Sequence, residues 1–294
     1  MYNNKTSIFV LCFIIIFGFV LTSYQFNSTQ SIPHFIMPIV KCDLPYINFG
    51  EPQPKQDESV LNYLQCCVRI RNGDLCGSGT ICYFDYDNNE CYIISCGHLF
   101  QGSKAIDSVV KEVVDVNIFY KNDKKLKAPQ VFKGEVLCYS ETYDVSLIKF
   151  NPDWKIDKTF HIAPVSYPLY KGQSLESTGC DYGNDPASYT IEVYDGIKTG
   201  QNLITRRNSP RLGRSGGGVF TADGHFIIGI VRATSNEDGS GYGVSVSIRT
   251  IHEYLSKSKK TSWLLKQYNE VDFIPMIDKD RTLMVPPGYI PIPK

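Results

Sequence analysis

The sequence lacks a net charge, a paired-cysteine motif and any internal repeat. Its 294 residues include 30 Lys plus Arg and 30 Asp plus Glu, so the formal charge at pH 7 is zero. Without an excess of positive charge there is no long-range attraction to phosphate, and we expect no nucleic-acid partner. No Cys-x-x-Cys pair occurs, which argues against a zinc ribbon, and no repeat has the period of a solenoid.

The residues that are present are typical of a β-rich globular protein. Aromatic residues make up 13% of the chain, and 23 Gly and 16 Pro favour turns between short strands over a helical bundle. The spacing of the segments indicates an all-β fold of antiparallel barrels or sandwiches, divided within the polar stretch 151–168. The predicted strands are 65–71, 78–84, 90–95, 115–120, 134–139 and 145–150, followed by 174–178, 189–193, 218–221, 226–231 and 243–248.

The N-terminal segment 1–24 has the composition of a targeting sequence. Residues 8–21 carry no charge or amide, Lys5 precedes them, and no Ala-x-Ala-like cleavage site follows. We interpret this segment as a hydrophobic signal-anchor helix that binds the membrane through residues 8–24, or as a signal peptide whose cleavage yields a secreted protein. Lys5 predicts a cytoplasmic N terminus and an exported body.

The remaining chain divides into four predicted parts. They are a proline-rich linker at 25–62, a first β unit at 63–156, a second β unit with a short C-terminal helix at 157–258, and a proline-rich tail at 259–294. We predict that a capping box begins the helix, with Thr250 as the N-cap and Glu253 reaching back to its backbone. A further helical turn is predicted at 262–268.

The ten cysteines are compatible with export. Cys82 and Cys91 flank a hairpin turn signal, and we hypothesise that a disulfide joins them across two strands. A second, weaker hypothesis pairs Cys76 with Cys96. The alternative is that these cysteines are small buried hydrophobic residues.

Three stretches carry side chains suited to acyl transfer. His98 ends an apolar strand in the turn Ser-Cys-Gly-His, Asp144 begins an alternating strand, and Ser215 lies in a glycine-dense turn. Serine needs an adjacent base, histidine can take its proton near neutral pH, and a buried aspartate fixes the imidazole tautomer. Glycines beside the serine let backbone amides turn inward, and we assign the oxyanion donors to the amides of Gly213 and Ser215.

The chain resembles the chymotrypsin-like (trypsin-fold) serine peptidases, and within them the HtrA-like, bacterial-type branch. The resemblance covers residues 65–255 and rests on Gly77-Ser-Gly-Thr80, Ser95-Cys-Gly-His98 and Gly213-Arg-Ser-Gly-Gly217. It implies two six-stranded β-barrels with the active site in the cleft between them. It also implies a serine endopeptidase that cleaves polypeptides through an acyl-enzyme intermediate, with neither a cofactor nor a metal ion.

Two features depart from the trypsin-type pattern. Arg214 precedes the serine where trypsin-type zymogens place an aspartate, so activation by a freed N-terminal amine is not expected. Cys96 precedes the histidine instead of following it, so the disulfide usual beside that histidine must be altered or absent.

The resemblance also suggests the residues of the primary substrate pocket. By register, Ser209, Thr234 and Gly241 would line it, and none of them is acidic. A preference for Lys or Arg is therefore not expected, because no counter-charge would meet a buried cation. We expect a small or medium uncharged side chain, or an acidic one if Arg232 or Arg206 faces the pocket.

Two other functions fit parts of the sequence. The pattern Gly213-x-Ser215-x-Gly217 also occurs in the nucleophile elbow of α/β-hydrolases, but that elbow needs a strand before it and a helix after it, and neither is predicted here. The second alternative is a catalytically silent trypsin-fold scaffold that serves as a membrane-tethered binding module. Covalent labelling of Ser215 distinguishes an active enzyme from this scaffold.

Overall fold

The computed structural model describes residues 40–41, 58–100, 113–122, 124–183, 187–198, 202–206, 210–222, 226–235, 242–257 and 260–265. All of them lie in one compact unit, Ile36–Lys294. The predicted targeting segment, most of the predicted linker and most of the predicted tail lie outside the described residues. Among the helices that are described, none combines the length and the apolar character needed to span a bilayer.

The described chain is mostly β, with two short α-helices. The helices are α1 (Glu58–Cys66) and α2 (Ile248–Ser256). The strands of the first half are β1 (Val40–Lys41), β2 (Cys67–Asn72), β3 (Leu75–Asp85), β4 (Glu90–Ser95), β5 (Val113–Lys121), β6 (Lys124–Ser140) and β7 (Val145–Phe150). Those of the second half are β8 (His161–Ile162), β9 (Ser174–Gly179), β10 (Ser188–Lys198), β11 (Asn202–Arg206), β12 (Gly218–Thr221), β13 (Phe226–Ser235) and β14 (Tyr242–Ser247).

The first sheet closes on itself as a barrel. Its order is β1-β3-β2-β5-β6-β7-β4, and β4 also pairs with β3, so the six strands β2 to β7 form a ring of antiparallel neighbours. Alternate residues of these strands point inward, and the interior is packed with branched aliphatic side chains. Examples with no exposed surface are Ile70, Ile81, Ile93, Val116 and Ile148.

The second sheet has the order β12-β9-β10-β11-β14-β13-β8, with an additional pairing between β12 and β13. Its pairings are antiparallel except for β8, which runs parallel to β13. Besides aliphatic residues, this half buries polar side chains to an exposure of 1% or less. They include Ser177, Thr178, Glu192, Thr205 and Ser245.

Several strands match the predictions residue for residue, namely those at 90–95, 145–150 and 218–221. The polar segment of β11 was not predicted, because its sequence lacks a clear alternation. Helix α1 begins inside the predicted linker. The helical turn expected at 262–268 is a short 3₁₀ turn, Ser262–Leu265.

The predicted cap of the C-terminal helix is wrong by one turn. The N-cap of α2 is Ser247, which has extended backbone angles and whose hydroxyl accepts a hydrogen bond from the Thr250 amide at 3.4 Å. Ser247 stands three residues before Thr250, so the same cap chemistry is available one turn earlier, and Thr250 lies inside the helix.

The disulfide predictions are also corrected. Cys82 and Cys91 are free, buried thiols, and Cys96 is free as well. A bulge in β3 between Ile81 and Tyr83 removes Cys82 from the pairing register, while Cys91 pairs with Phe84, so the two thiols do not face each other. Cys76 is disulfide-bonded, but to a partner outside the described residues.

Candidate functional site

The histidine and the aspartate meet at one end of the first barrel. His98 Nδ1 lies 2.8 Å from Asp144 Oδ1, and both side chains are at most 2% exposed. The same carboxylate oxygen accepts hydrogen bonds from the amides of Gly97 at 3.0 Å and His98 at 2.9 Å. Asp144 is therefore fixed as an acceptor, and it holds the imidazole with the proton on Nδ1 and the Nε2 lone pair directed elsewhere.

Strand pairing explains this meeting. Ser95 at the end of β4 is paired with Ser146 near the start of β7, so the turn after β4 and the turn before β7 share one edge. The Ser146 hydroxyl donates to the Cys96 carbonyl at 2.9 Å. Only glycine fits at position 97, because a Cβ there would lie 2.1 Å from the Ser140 carbonyl oxygen. The close approach of the two turns thus depends on the small residue before the histidine.

Ser215 lies in the second of two consecutive tight turns, 211–214 and 214–217. In each, the amide of the fourth residue donates to the carbonyl of the first, at 3.1 and 2.9 Å. The third positions are Gly213 and Gly216, with φ of +84° and +90°. This is the arrangement of a type II turn, which favours glycine at that position. The glycine-dense sequence therefore shapes the backbone on both sides of the serine.

The carbonyl groups of this loop are held from the first barrel. The Ser78 amide donates to the Ser215 carbonyl at 2.7 Å, and the Ser78 hydroxyl donates to the Gly213 carbonyl at 2.9 Å while accepting from the Cys180 amide at 2.8 Å. Within the described residues, the amides of Gly213 and Ser215 donate to no protein group. These are the two amides that the sequence analysis assigned as oxyanion donors.

A buried arginine with an acidic partner lies beneath the serine loop. Arg214 is 1% exposed, and its Nε lies 3.4 Å from Oδ1 of Asp181, whose side chain is 17% exposed. Its terminal nitrogens donate to the Ser188 hydroxyl at 3.1 and 3.2 Å, and that hydroxyl donates to Asp181 Oδ2 at 2.6 Å. The charge of the residue before the serine is thus neutralised by an acid of the same chain. The sequence analysis missed Asp181, which belongs to no motif.

Ser215 and His98 are close in the fold but not hydrogen-bonded. The Ser215 hydroxyl donates weakly to the Arg232 carbonyl at 3.5 Å. Among the described side chains, the group within bonding distance of His98 Nε2 is the thiol of Cys96, at 3.6 Å. The serine loop nevertheless adjoins this turn, since a Cβ on Gly216 would lie 3.1 Å from the Cys96 amide nitrogen.

The groups around His98 stabilise the imidazolium form that proton transfer would produce. Burial lowers the pKa of His98, but the sulfur of Cys96 and the hydrogen-bonded carboxylate of Asp144 outweigh this effect and raise the pKa above its usual value. On its other side, Asp144 Oδ2 lies 3.1 Å from Nε of Arg232. The carboxylate of Asp144 therefore lies between the imidazole of His98 and the guanidinium of Arg232.

The predicted pocket residues cannot be placed together. Ser209 and Gly241 lie outside the described residues. Thr234 is in β13, where its backbone pairs with Gly243 of β14. Of the two arginines considered for an acidic preference, Arg232 contacts Asp144, while the Arg206 backbone lies in β11. The pocket stays a prediction.

One group of side chains could hold a metal ion. The potential ligand atoms of Cys96, His98 and Asp144 all lie within 4.8 Å of one another, and the three residues are buried.

Comparison with known proteins identifies the class. Residues 77–230, just over half of the chain, match the trypsin-like peptidase domain. The chain belongs to this family, and the resemblance to trypsin-like peptidases inferred from its sequence is confirmed. No curated protein matches the chain.

Solved structures share the fold. The inactive form of Rv3671c from M. tuberculosis H37Rv, a serine-to-alanine mutant, is 19% identical with a TM-score of 0.52 and covers 74% of this chain and 98% of its own. A second inactive form of the Rv3671c protease gives 19% and 0.50, covering 73% and 98%. The serine endoprotease from Yersinia pestis gives 15% and 0.52, covering 74% and 69%. At these identities the likeness extends to the fold alone.

Proposed function

We propose that the protein is a serine endopeptidase in which Ser215 is the nucleophile, His98 the general base and Asp144 the residue that orients the base. The observation that carries the proposal is the buried contact of 2.8 Å between His98 Nδ1 and Asp144 Oδ1. Both side chains are at most 2% exposed, and burying two ionisable groups is costly. Such buried pairs are therefore candidates for functional sites. Their position beside a glycine-rich serine loop in a trypsin-like domain supports the proposed roles.

In the proposed reaction, substrate binding turns the Ser215 hydroxyl from the Arg232 carbonyl towards His98 Nε2. The hydroxyl attacks the peptide carbonyl as Nε2 takes its proton, and Asp144 stabilises the imidazolium that forms. The amides of Gly213 and Ser215 bind the oxyanion of the tetrahedral intermediate. His98 then protonates the leaving amine, and water hydrolyses the acyl-enzyme by the same steps.

We further propose that the second sheet is the second barrel of a two-barrel fold. Support comes from β12, which pairs with both β9 and β13 and so connects the two sides of that sheet. The active site would then lie between the two halves, with His98 and Asp144 supplied by one and Ser215 by the other.

The ion pair between Arg214 and Asp181 supports a protease whose serine loop does not depend on a freed N-terminal amine. In trypsin-like zymogens, activation brings a new charge to the residue before the serine. Here the opposite charge is already present in the chain, 3.4 Å away. We expect the protein to be active without proteolytic processing of its peptidase domain. Separately, the absence of an acidic residue among the predicted pocket residues leads us to expect an uncharged residue at the scissile position.

The test is labelling of the full-length chain with a fluorophosphonate. We expect labelling of the wild type, and none of Ser215→Ala or His98→Ala. Ser256→Ala is the matched control, because Ser256 is an exposed serine that donates only to the Glu253 carbonyl; it should label like the wild type. Absence of labelling in a folded wild-type chain would indicate a silent scaffold, and labelling that persists in Ser215→Ala would place the nucleophile elsewhere.

A peptide library tests the specificity. Cleavage dominated by Lys or Arg at the scissile position would contradict the expected pocket.

A further inference from the structure

The proposed hydrolysis gives no role to the thiol nearest the base. Cys96 has no exposed surface, and its sulfur lies 3.6 Å from His98 Nε2, the nitrogen that must accept the serine proton. On the other side of the ring, Asp144 Oδ1 holds Nδ1 at 2.8 Å. The sulfur of Cys96 and Nε2 of His98 are thus close enough to bind the same ion, while Asp144 contacts the opposite nitrogen of the ring.

The spacing of the sulfur and the nitrogen suits a tetrahedral zinc ion. Zn–S and Zn–N bonds of about 2.3 Å and about 2.0–2.1 Å, at a tetrahedral angle, place the two ligand atoms about 3.5–3.6 Å apart. The observed separation of Cys96 Sγ and His98 Nε2 is 3.6 Å. The two atoms could therefore bind one ion without a change of rotamer.

The surrounding groups complete the arrangement. A histidine that binds zinc usually donates the proton of its other ring nitrogen to a carboxylate or carbonyl, which fixes the ring and raises its basicity as a ligand. Here Asp144 is that acceptor for His98, and it also accepts from the amides of Gly97 and His98. A thiolate with an imidazole selects zinc over magnesium or calcium, which prefer oxygen ligands.

We propose that Cys96 and His98 form a binding site for Zn²⁺, and that the bound ion inhibits the peptidase by occupying the lone pair of His98 Nε2. Zn²⁺ would bind the Cys96 thiolate and the unprotonated Nε2 of His98, and any protons that these two atoms carry beforehand would leave to solvent. The inhibition rests on the proposed function, whereas the metal site does not.

Binding is measured on the full-length chain, cleared of metal, by titration with Co²⁺. A thiolate ligand gives a sulfur-to-cobalt charge-transfer band in the near ultraviolet, and we expect this band to reach its maximum at one ion per chain and to disappear when Zn²⁺ is added. Cys96→Ser should lose the band and bind Zn²⁺ more than about tenfold more weakly, since loss of even an outer-shell partner costs about 10–100-fold. No charge-transfer band in the wild type would overturn the proposal.

Two control variants make the test specific. Cys138→Ser removes a partly buried thiol on β6 that interacts with Tyr254 and is not among the proposed ligands, so it should keep the cobalt band. Ser215→Ala removes the proposed nucleophile and should also keep it, so metal binding is measured independently of hydrolysis. If the band is lost in Cys138→Ser and kept in Cys96→Ser, the ion binds elsewhere and the proposal fails.

Inhibition is then measured by fluorophosphonate labelling with and without Zn²⁺. Saturating Zn²⁺ should slow labelling of the wild type and of Cys138→Ser by more than tenfold, and EDTA should restore it. In Cys96→Ser, the ratio of the rates with and without Zn²⁺ should be close to one. Circular dichroism checks that this variant is folded, and equal Zn²⁺ sensitivity in a folded Cys96→Ser would overturn the proposal. A wild type that binds Co²⁺ through Cys96 but never labels would leave the site standing and contradict the proposed peptidase.

Discussion

The two halves of the molecule hold their parts of the candidate site in different ways. In the first barrel, His98 is hydrogen-bonded to Asp144, two backbone amides of the adjoining turn fix that carboxylate, and Arg232 of the second half contacts its other oxygen. In the second half, the serine loop lies over a buried guanidinium paired with Asp181. The comparison teaches that the His98–Asp144 pair depends first on the geometry of one turn, whereas the serine loop depends on a buried charge and its partner.

The polar character of the second half extends beyond the ion pair. Glu192 is 1% exposed, and within the described residues neither of its carboxyl oxygens has a hydrogen-bond partner. Burial raises the pKa of Glu192, while the nearby Thr205 hydroxyl and the charge of Arg214 oppose this rise. The first barrel has no comparable buried acid among its described residues apart from Asp144.

The largest effect should come from breaking the pair in the first half. Asp144→Asn keeps the shape of the side chain but favours the wrong imidazole tautomer, and we expect labelling and peptide hydrolysis to slow by about 10⁴-fold. The thermal midpoint should change far less than the rate. A loss below tenfold would mean that Asp144 is structural only.

Breaking the ion pair in the second half should act on stability first. Asp181→Asn leaves the buried charge of Arg214 without its partner and should lower the free energy of unfolding by about 3–5 kcal/mol, as measured by urea denaturation. Arg214→Met should cost less, because the Asp181 carboxylate that remains is partly exposed. The double variant Asp181→Asn/Arg214→Met should recover much of this loss, because no unpaired charge remains. If the losses of the single variants simply add in the double variant, the two residues are not coupled.

Ser78 connects the two halves, because its hydroxyl donates to the Gly213 carbonyl of the serine loop and accepts from the Cys180 amide. Ser78→Ala leaves a buried carbonyl and a buried amide without their partner, so we expect a loss of about 1–3 kcal/mol in stability. Labelling should also slow, because the Gly213 amide is no longer aligned. Ser146→Ala is the matched control within the first barrel, since its hydroxyl makes one bond, to the Cys96 carbonyl. It should cost about 1 kcal/mol.

The smallest effect should come from the buried acid. The pKa of Glu192 is higher in the folded chain than its usual value of 4.5 in the unfolded chain. Between these two pKa values the folded state binds more protons than the unfolded state. Stability therefore falls as the pH rises from the lower pKa to the higher one. Glu192→Gln should remove this fall and raise the stability at pH 7 by about 1 kcal/mol, because no charge is left to desolvate. The measurement is the free energy of unfolding at pH 4 and at pH 7. If the difference between these two values is the same in Glu192→Gln as in the wild type, the prediction is wrong.

The sequence predicted most strands and the turn chemistry of His98, Asp144 and Ser215, because these depend on local patterns. It did not predict the partner of Arg214, because Asp181 is brought near by the pairing of β9 and β10 and has no sequence signature. The predicted disulfide between Cys82 and Cys91 is wrong for a related reason. One bulge in β3 shifts the pairing register, so the two thiols do not face each other as simple alternation would place them. Contacts set by register and by distant strands are those that local reasoning misses.

The hydrogen bonds of Ser78 also have a consequence for synthesis. The shape of the loop around Ser215 depends on a residue translated long before it and folded into the other half. A partly synthesised chain therefore lacks the contacts that hold this loop. If Ser215 is the nucleophile, as proposed, activity would appear only after the segment around Ser78 and the serine loop have come together.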